Sequence, residues 1–165
     1  MSDVQHWYEA DSALLKAEIE AMRQLCPDAT HDFLPAWRLC WSIPVVVDVV
    51  GTRKRWLVLA VYREDHPSTR FGGSIDFYPL SPSFEEMQQM VEDAGIAHSG
   101  IPHTYRDDAG RVCLSLETLE HSRATNRGTI ASAASYIEQL KLWITSFELG
   151  LLDKDSWETW AGRRC

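Results

Sequence analysis

The residue in this chain whose neighbours best suit it to covalent chemistry is Cys113, at the end of the stretch His103-Thr-Tyr-Arg-Asp-Asp-Ala-Gly110-Arg-Val-Cys113-Leu114. Asp107, Asp108 and Gly110 supply turn chemistry, so the chain can reverse sharply before Val112 and Leu114 anchor it to a core. Cys113 would then stand at the lip of a groove. A thiol is intrinsically nucleophilic and its thioesters stay reactive toward amines, so a cysteine in that position suits the carriage of an acyl group. The competing reading of a cysteine between valine and leucine is a small buried hydrophobe.

The elements that must hold this loop can be read from periodicity. Residues 4–25 predict a helix with Ala10, Leu14, Leu15, Ile19, Met22 and Leu25 near helical spacing, Glu9, Glu18, Glu20 and Arg23 on the other side, and Pro27 as a stop. Residues 37–44, 45–50 and 55–62 are rich in branched and aromatic side chains, with Gly51-Thr-Arg-Lys54 as a turn. They predict an antiparallel meander whose inner face packs helices and whose outer face is partly wet. Ser83 and Glu86 form a capping box that opens a second helix, with Phe84, Met87, Met90 and Val91 as its apolar stripe and Gly95 at its end. That stripe serves core packing or one wall of a Cys113 cleft.

After the cysteine, residues 117–128 read as a polar loop. A last long helix over 130–149 would bury Ile137, Leu140, Ile144 and Phe147, widened by Tyr136 and Trp143, with Gly150 as its C-cap. Trp157 and Trp160 would cover an otherwise exposed seam.

Composition narrows the function classes. A chain of 165 residues is long enough for one domain over residues 1–165, burying about 70% of the surface its extended form exposes. Cys26, Cys40, Cys113 and Cys165 show no C-x-x-C pairing, and no basic-then-apolar leader opens the chain, so free thiols and a cytoplasmic location are expected. A net charge of −8 argues against a nucleic-acid surface, which needs clustered positive potential. No apolar run approaches the eighteen or so residues of a membrane span. The histidines and cysteines form no ligand doublets, so no metal is expected. Phe71-Gly-Gly-Ser74 lacks the Lys-Ser/Thr of a phosphate loop, and no cofactor is expected.

The Cys113 stretch resembles the active-site segment of ubiquitin-conjugating enzymes, whose pattern runs His-Pro-Asn, a short polar loop, Gly-x-Ile-Cys-Leu, and Trp-Ser-Pro eight residues after the cysteine. Without a gap, His103, Gly110, Val112, Cys113 and Leu114 meet the corresponding positions in identity or type. Thr104 and Tyr105 stand where the family has Pro and Asn, and His121-Ser-Arg123 where it has Trp-Ser-Pro. These departures resemble the divergent bacterial members found in anti-phage operons (CBASS) and in ubiquitin-like conjugation (Bil-type) operons, as does the stretch from Tyr136 to Gly150; the resemblance covers roughly residues 10–160.

The resemblance implies an α+β fold of the ubiquitin-conjugating kind: an N-terminal helix, a four-stranded antiparallel meander, the active-site loop, an inserted helix and a long C-terminal helix. Asp65-His-Pro67 and Ile75-Asp-Phe77 would be the family's proline turn and its further strand. It also implies that Cys113 accepts the C-terminus of a ubiquitin-like protein or of a cyclic-nucleotide synthase as a thioester. A separate activating enzyme would supply that carboxyl, and an amine would then attack it. Tyr105 takes the position of the family's Asn, which serves the oxyanion or the loop that shapes the site, and a phenol can donate one hydrogen bond with a longer reach and different geometry. His103 is in the family a structural residue of the loop, with proton transfer as the other role. His121 would orient an acceptor or lower the thiol pKa if it turns inward, and is otherwise a solvated loop histidine. Two further readings stand beside the transferase: a binding module that keeps the fold without the chemistry, and a cysteine hydrolase using Cys113 with His103 or His121.

Overall fold

Asp11 breaks the predicted first helix in two. Its carboxylate accepts from Leu14 N at 2.9 Å and caps α2 (Ser12–Leu25), while α1 (Trp7–Ala10) ends at the same residue. The computed structural model describes residues 5–67, 74–96, 100–105, 110–114 and 132–163. Leu14 and Met22 are buried as the spacing predicts, whereas Ala10 and Leu25 are exposed.

Glu18, expected on the outer face of the helix, is only 2% exposed. It lies inside because polar partners meet it there. Trp41 Nε1 donates to the Tyr62 hydroxyl at 3.0 Å, that hydroxyl donates to Glu18 Oε2 at 2.5 Å, and Ala133 N donates to the same oxygen at 3.2 Å. His66, also buried, has Nε2 at 3.7 Å from Glu18 Oε1 and shares a 2.7 Å hydrogen bond with Ser74 through Nδ1. Burial, reinforced by the Glu18 charge, pushes the Tyr62 hydroxyl far above its ordinary pKa, which keeps it a donor. One carboxylate thus ties α2 to the sheet and to the C-terminal half of the chain.

The chain is α+β, with a four-stranded antiparallel sheet in the order β1 (Thr30–Leu34), β2 (Arg38–Val49), β3 (Thr52–Tyr62), β4 (Ile75–Ser81). The predicted meander is therefore present, with two changes of boundary. Residues 37–44 and 45–50, read as separate segments, form most of one strand that runs through Pro44. Proline is tolerated there because β1 pairs only with Arg38 to Ser42, so β2 has become an edge by Pro44 and needs no second ladder donor. The β2–β3 turn is also tighter than expected: Val50 (φ 47°) and Gly51 (φ 74°) make it alone, and Thr52 to Lys54 already belong to β3. Along β2, Ile43, Val45, Val47 and Val49 are buried and Pro44, Val46 and Asp48 exposed, the alternation of a sheet with one packed face.

α3 (Phe84–Asp93) begins with the predicted capping box, Glu86 N donating to Ser83 Oγ at 3.2 Å and Ser83 N to Glu86 Oε2 at 2.6 Å. Met87 and Val91 are fully buried, Phe84 and Met90 partly so. A short 3-10 turn (Ala133–Tyr136) leads into α4 (Ile137–Leu152), which packs on β2. Its buried Ile137, Leu140, Ile144 and Phe147 are those predicted, each contributing roughly 1.5–3 kcal/mol by burial.

Gly150 is not the helix cap. It lies inside α4, and a Cβ there would come within 2.8 Å of Trp157 Cε3 and 3.3 Å of Trp157 Cα. Asp153 ends α4 and caps α5 (Lys154–Ala161), which folds back over the glycine and packs Trp157 on Phe147 and Trp160 on Trp143. The buried Glu148 accepts from Trp56 Nε1 at 2.8 Å and faces Lys54 Nζ at 3.7 Å. Among the described residues, no helix is long and apolar enough to cross a membrane.

Candidate functional site

Val112 stitches the cysteine segment to the free edge of β4. Its N–H donates to Phe77 O at 2.8 Å. On its other side the segment pairs antiparallel with residues 103–105, through Tyr105 N to Arg111 O at 2.9 Å and Cys113 N to His103 O at 2.8 Å, with Thr104 opposite Val112. Val112 and Leu114 are buried anchors, as expected. Cys113, between them, is half-buried, because alternate residues of an extended segment face opposite ways. The reading of Cys113 as a core hydrophobe therefore fails, and the description fits Cys40 instead, which is 3% exposed and has its thiol pushed up by burial. Burial likewise raises the pKa of Cys26.

His103 is the pivot of the site. It holds a positive φ of 54°, its carbonyl accepts from both Cys113 N and Trp143 Nε1 (3.2 Å), and its Nε2 donates to Trp160 O at 2.7 Å. With its ring also 5.4 Å from that of Trp160, the side chain is committed to holding α5. The tie to a carbonyl fixes the Nε2–H tautomer.

Tyr105 lies under the Arg111 guanidinium, 3.9 Å from ring centroid to Cζ, and Arg111 Nη1 donates to Asp76 Oδ1 at 3.2 Å. Cys113, His103 and Tyr105 are thus brought together in one small ribbon. His121, Asp107 and Asp108 lie outside the described residues.

Gly110 explains why the ribbon can close against α3. It is buried with φ 81°, and a Cβ there would fall 2.5 Å from Phe84 Cδ2. Phe84 is therefore the point at which the second helix meets the cysteine loop. Gly110→Ala should lose about 1–3 kcal/mol, from overpacking and from the positive φ together. Adding Phe84→Ala should relieve the steric part only, so chemical denaturation of Gly110→Ala in the Phe84→Ala background should still show a residual loss of about 1 kcal/mol. Equal stabilities with glycine and alanine in that background would contradict the backbone argument.

The expectation of free thiols holds for Cys26 and Cys40 but not for Cys113, which is disulfide-bonded. Sequence spacing could not reveal this, since a C-x-x-C pattern finds only cysteines close along the chain and a fold also brings distant ones together. Cys165 lies outside the described residues.

Three partners of the site were not foreseen: Trp160, Trp143 and the Arg111–Asp76 pair. Trp160 acts through its main-chain carbonyl, which no side-chain pattern records. Arg111 stands opposite Tyr105 because their two segments pair antiparallel. Among the described residues, no group of three or more His, Cys, Asp or Glu side chains could hold a metal ion. What the arrangement offers chemically is one half-buried sulfur, held in a disulfide in this structure, on a hydrogen-bonded ribbon at a sheet edge, with a histidine and an aromatic–guanidinium pair on the same ribbon. No family model matches the chain, and neither a curated protein nor a solved structure matches it.

Proposed function

We propose that this chain is a ubiquitin-conjugating-like transferase that carries the C-terminus of a partner protein as a thioester on Cys113. The partner is a ubiquitin-like modifier or a cyclic-nucleotide synthase, in cytoplasmic anti-phage defence. The observation that carries the reading is the setting of Cys113: its backbone is pinned on both sides, to His103 and through Val112 to β4, while its side chain stays out of the core. A helix before a four-stranded meander, a capped helix before the loop and a long closing helix accord with the ubiquitin-conjugating fold, which is part of the same proposal.

In this mechanism the Cys113 thiolate attacks the activated carboxyl terminus delivered by a separate activating enzyme. The activating group leaves, a thioester forms, and an amine then displaces the thiolate to give an amide. The backbone hydrogen bonds that hold Cys113 and Val112 contribute by orientation, because they restrict where the reduced sulfur can stand once the partner is docked. Tyr105, on the same ribbon, occupies the family's Asn position, with its hydroxyl as the candidate donor to the oxyanion.

The test is loading. Reduced wild-type protein, mixed with a ubiquitin-like or synthase partner and an activating enzyme for it, should form an adduct that thiols release. Cys113→Ala should form none, and Cys113→Ser should trap a thiol-resistant ester. Absence of any thiol-sensitive adduct with the wild type, or its persistence in Cys113→Ala, would reject the proposal.

A further inference from the structure

We propose that the groove lined by α1, the end of β1 and the bend after it docks a basic segment of a partner protein, with an arginine side chain against Trp37 and Glu9 or Glu64 as its counter-charge. The groove is open and measures about 1190 Å³. Small-molecule pockets run to roughly 300–1,000 Å³, so its size suits a length of peptide. It stands at the β1 edge of the sheet, whereas the Cys113 ribbon stands at the β4 edge, and nothing in it depends on the transferase reading.

Three rings make its wall. Those of Tyr8 and Phe33 stand 5.5 Å apart at 60°, and those of Phe33 and Trp37 6.2 Å apart at 61°. Rings set at such angles form corners in which a cation can rest against a π face. Phe33 is 42% exposed and Trp37 69%, although side chains of this size ordinarily go inside, and neighbouring exposed aromatics mark a surface that meets something. Trp37 is held in that position by its backbone. The Tyr8 hydroxyl donates to Trp37 O at 2.7 Å, and Ala36 (φ 64°) and Trp37 (φ 56°) both occupy the left-handed region, which residues with a side chain enter only at a cost.

Charge selects the occupant. Glu9 and Glu64 line the groove against one guanidinium, that of Arg38. Both carboxylates are held there by His6, whose N–H donates to Glu9 Oε2 at 3.1 Å and whose Nδ1 lies 3.2 Å from Glu64 Oε1. Their field reaches the aromatic wall: burial first, and then the charges of Glu9 and Glu64, raise the pKa of the Tyr8 hydroxyl. The whole chain carries −8, which draws a cation in and turns an anion away. Arginine fits this pairing because its planar guanidinium stacks on an indole and forms parallel hydrogen bonds with a carboxylate. Phe33 N already donates to Asp32 Oδ1 at 2.7 Å, so recognition rests on side chains rather than on addition of a strand to β1.

The probe is a short fluorescein-labelled peptide of alternating arginine and glycine, followed by anisotropy with the full-length protein in about 0.15 M salt. It should bind. Trp37→Ala leaves every charge in place and should weaken binding about tenfold, as the loss of a desolvated cation–π contact does, and Trp37→Phe should restore most of it. Glu9→Gln combined with Glu64→Gln should weaken binding by a similar factor. Glu85→Gln combined with Glu92→Gln removes the same charge from the exposed side of α3 and should change it by less than about twofold, since distant exposed charges are screened. Absence of binding would overturn the proposal, as would equal binding of the same peptide with glutamate in place of arginine. So would equal weakening by the two double variants with no effect of Trp37→Ala, because the peptide would then be reading total charge and not the groove. A wild-type dimer in sedimentation that Trp37→Ala separates would put a second copy of the chain in the groove and displace the basic segment from it.

Discussion

Glu18→Ala should unfold at a much lower urea concentration than the wild type, with a loss of about 3–5 kcal/mol. The carboxylate accepts from the Tyr62 hydroxyl and from Ala133 N and sits 3.7 Å from His66 Nε2, all in a region closed to water. Removing it strands two donors, the Tyr62 hydroxyl and Ala133 N, and takes the negative charge away from His66; each unmet buried donor costs about 1–3 kcal/mol. Trp41 adds to the loss indirectly, because the Tyr62 hydroxyl that accepts its indole N–H loses its own anchor. Glu18→Gln should cost less, since an amide of the same shape keeps an acceptor. Glu20→Ala on the exposed side of α2 is the control: it loses contacts to Arg23 and Gln24 only, and exposed pairs contribute about 0–1 kcal/mol. Tryptophan fluorescence during urea titration reports all three. A Glu18→Ala midpoint close to that of Glu20→Ala would mean that the network adds nothing to stability.

The same residue shows where sequence reading reaches its limit. A helical wheel sorts side chains by polarity, and Glu18 was sorted outward with Glu20 and Arg23. What draws it in is Tyr62, His66 and Trp41 on strands and turns far along the chain, and no local pattern carries that. The features that were legible are those with local causes: the Ser83–Glu86 box, whose bonds span one turn, the apolar stripe of α4, and the anchors Val112 and Leu114 on either side of Cys113. β1 escaped notice because Thr30 to Phe33 are all exposed, so a strand held by pairing to β2 alone shows no burial alternation. Gly150 misled because glycine after an apolar helix reads as a stop, yet here its missing side chain serves the close approach of Trp157.

The site divides along the same line. Cys113, His103 and Tyr105 lie within eleven residues of one another in the sequence and share one ribbon, where residues 103–105 pair with 111–113. The role of His103 was open between structure and proton transfer. Its ring is engaged with Trp160 O and its carbonyl with two donors, which favours positioning.

That role carries the second large effect. On reduced protein, His103→Ala should slow adduct formation on Cys113 by about a hundredfold, the scale expected when a reacting atom is displaced by about 1 Å. Alanine removes the tie to Trp160 O and leaves a residue that resists the left-handed φ of 54°. His103→Gln should recover much of the rate, because a glutamine Nε2 can take the place of the imidazole Nε2 and donate to the same carbonyl. The pH profile separates positioning from proton transfer. Glutamine does not titrate, so if His103 only positions the sulfur, the rate–pH curve of His103→Gln keeps its wild-type shape. If instead His103→Gln is as slow as His103→Ala and the curve loses a limb, His103 moves a proton in the reaction.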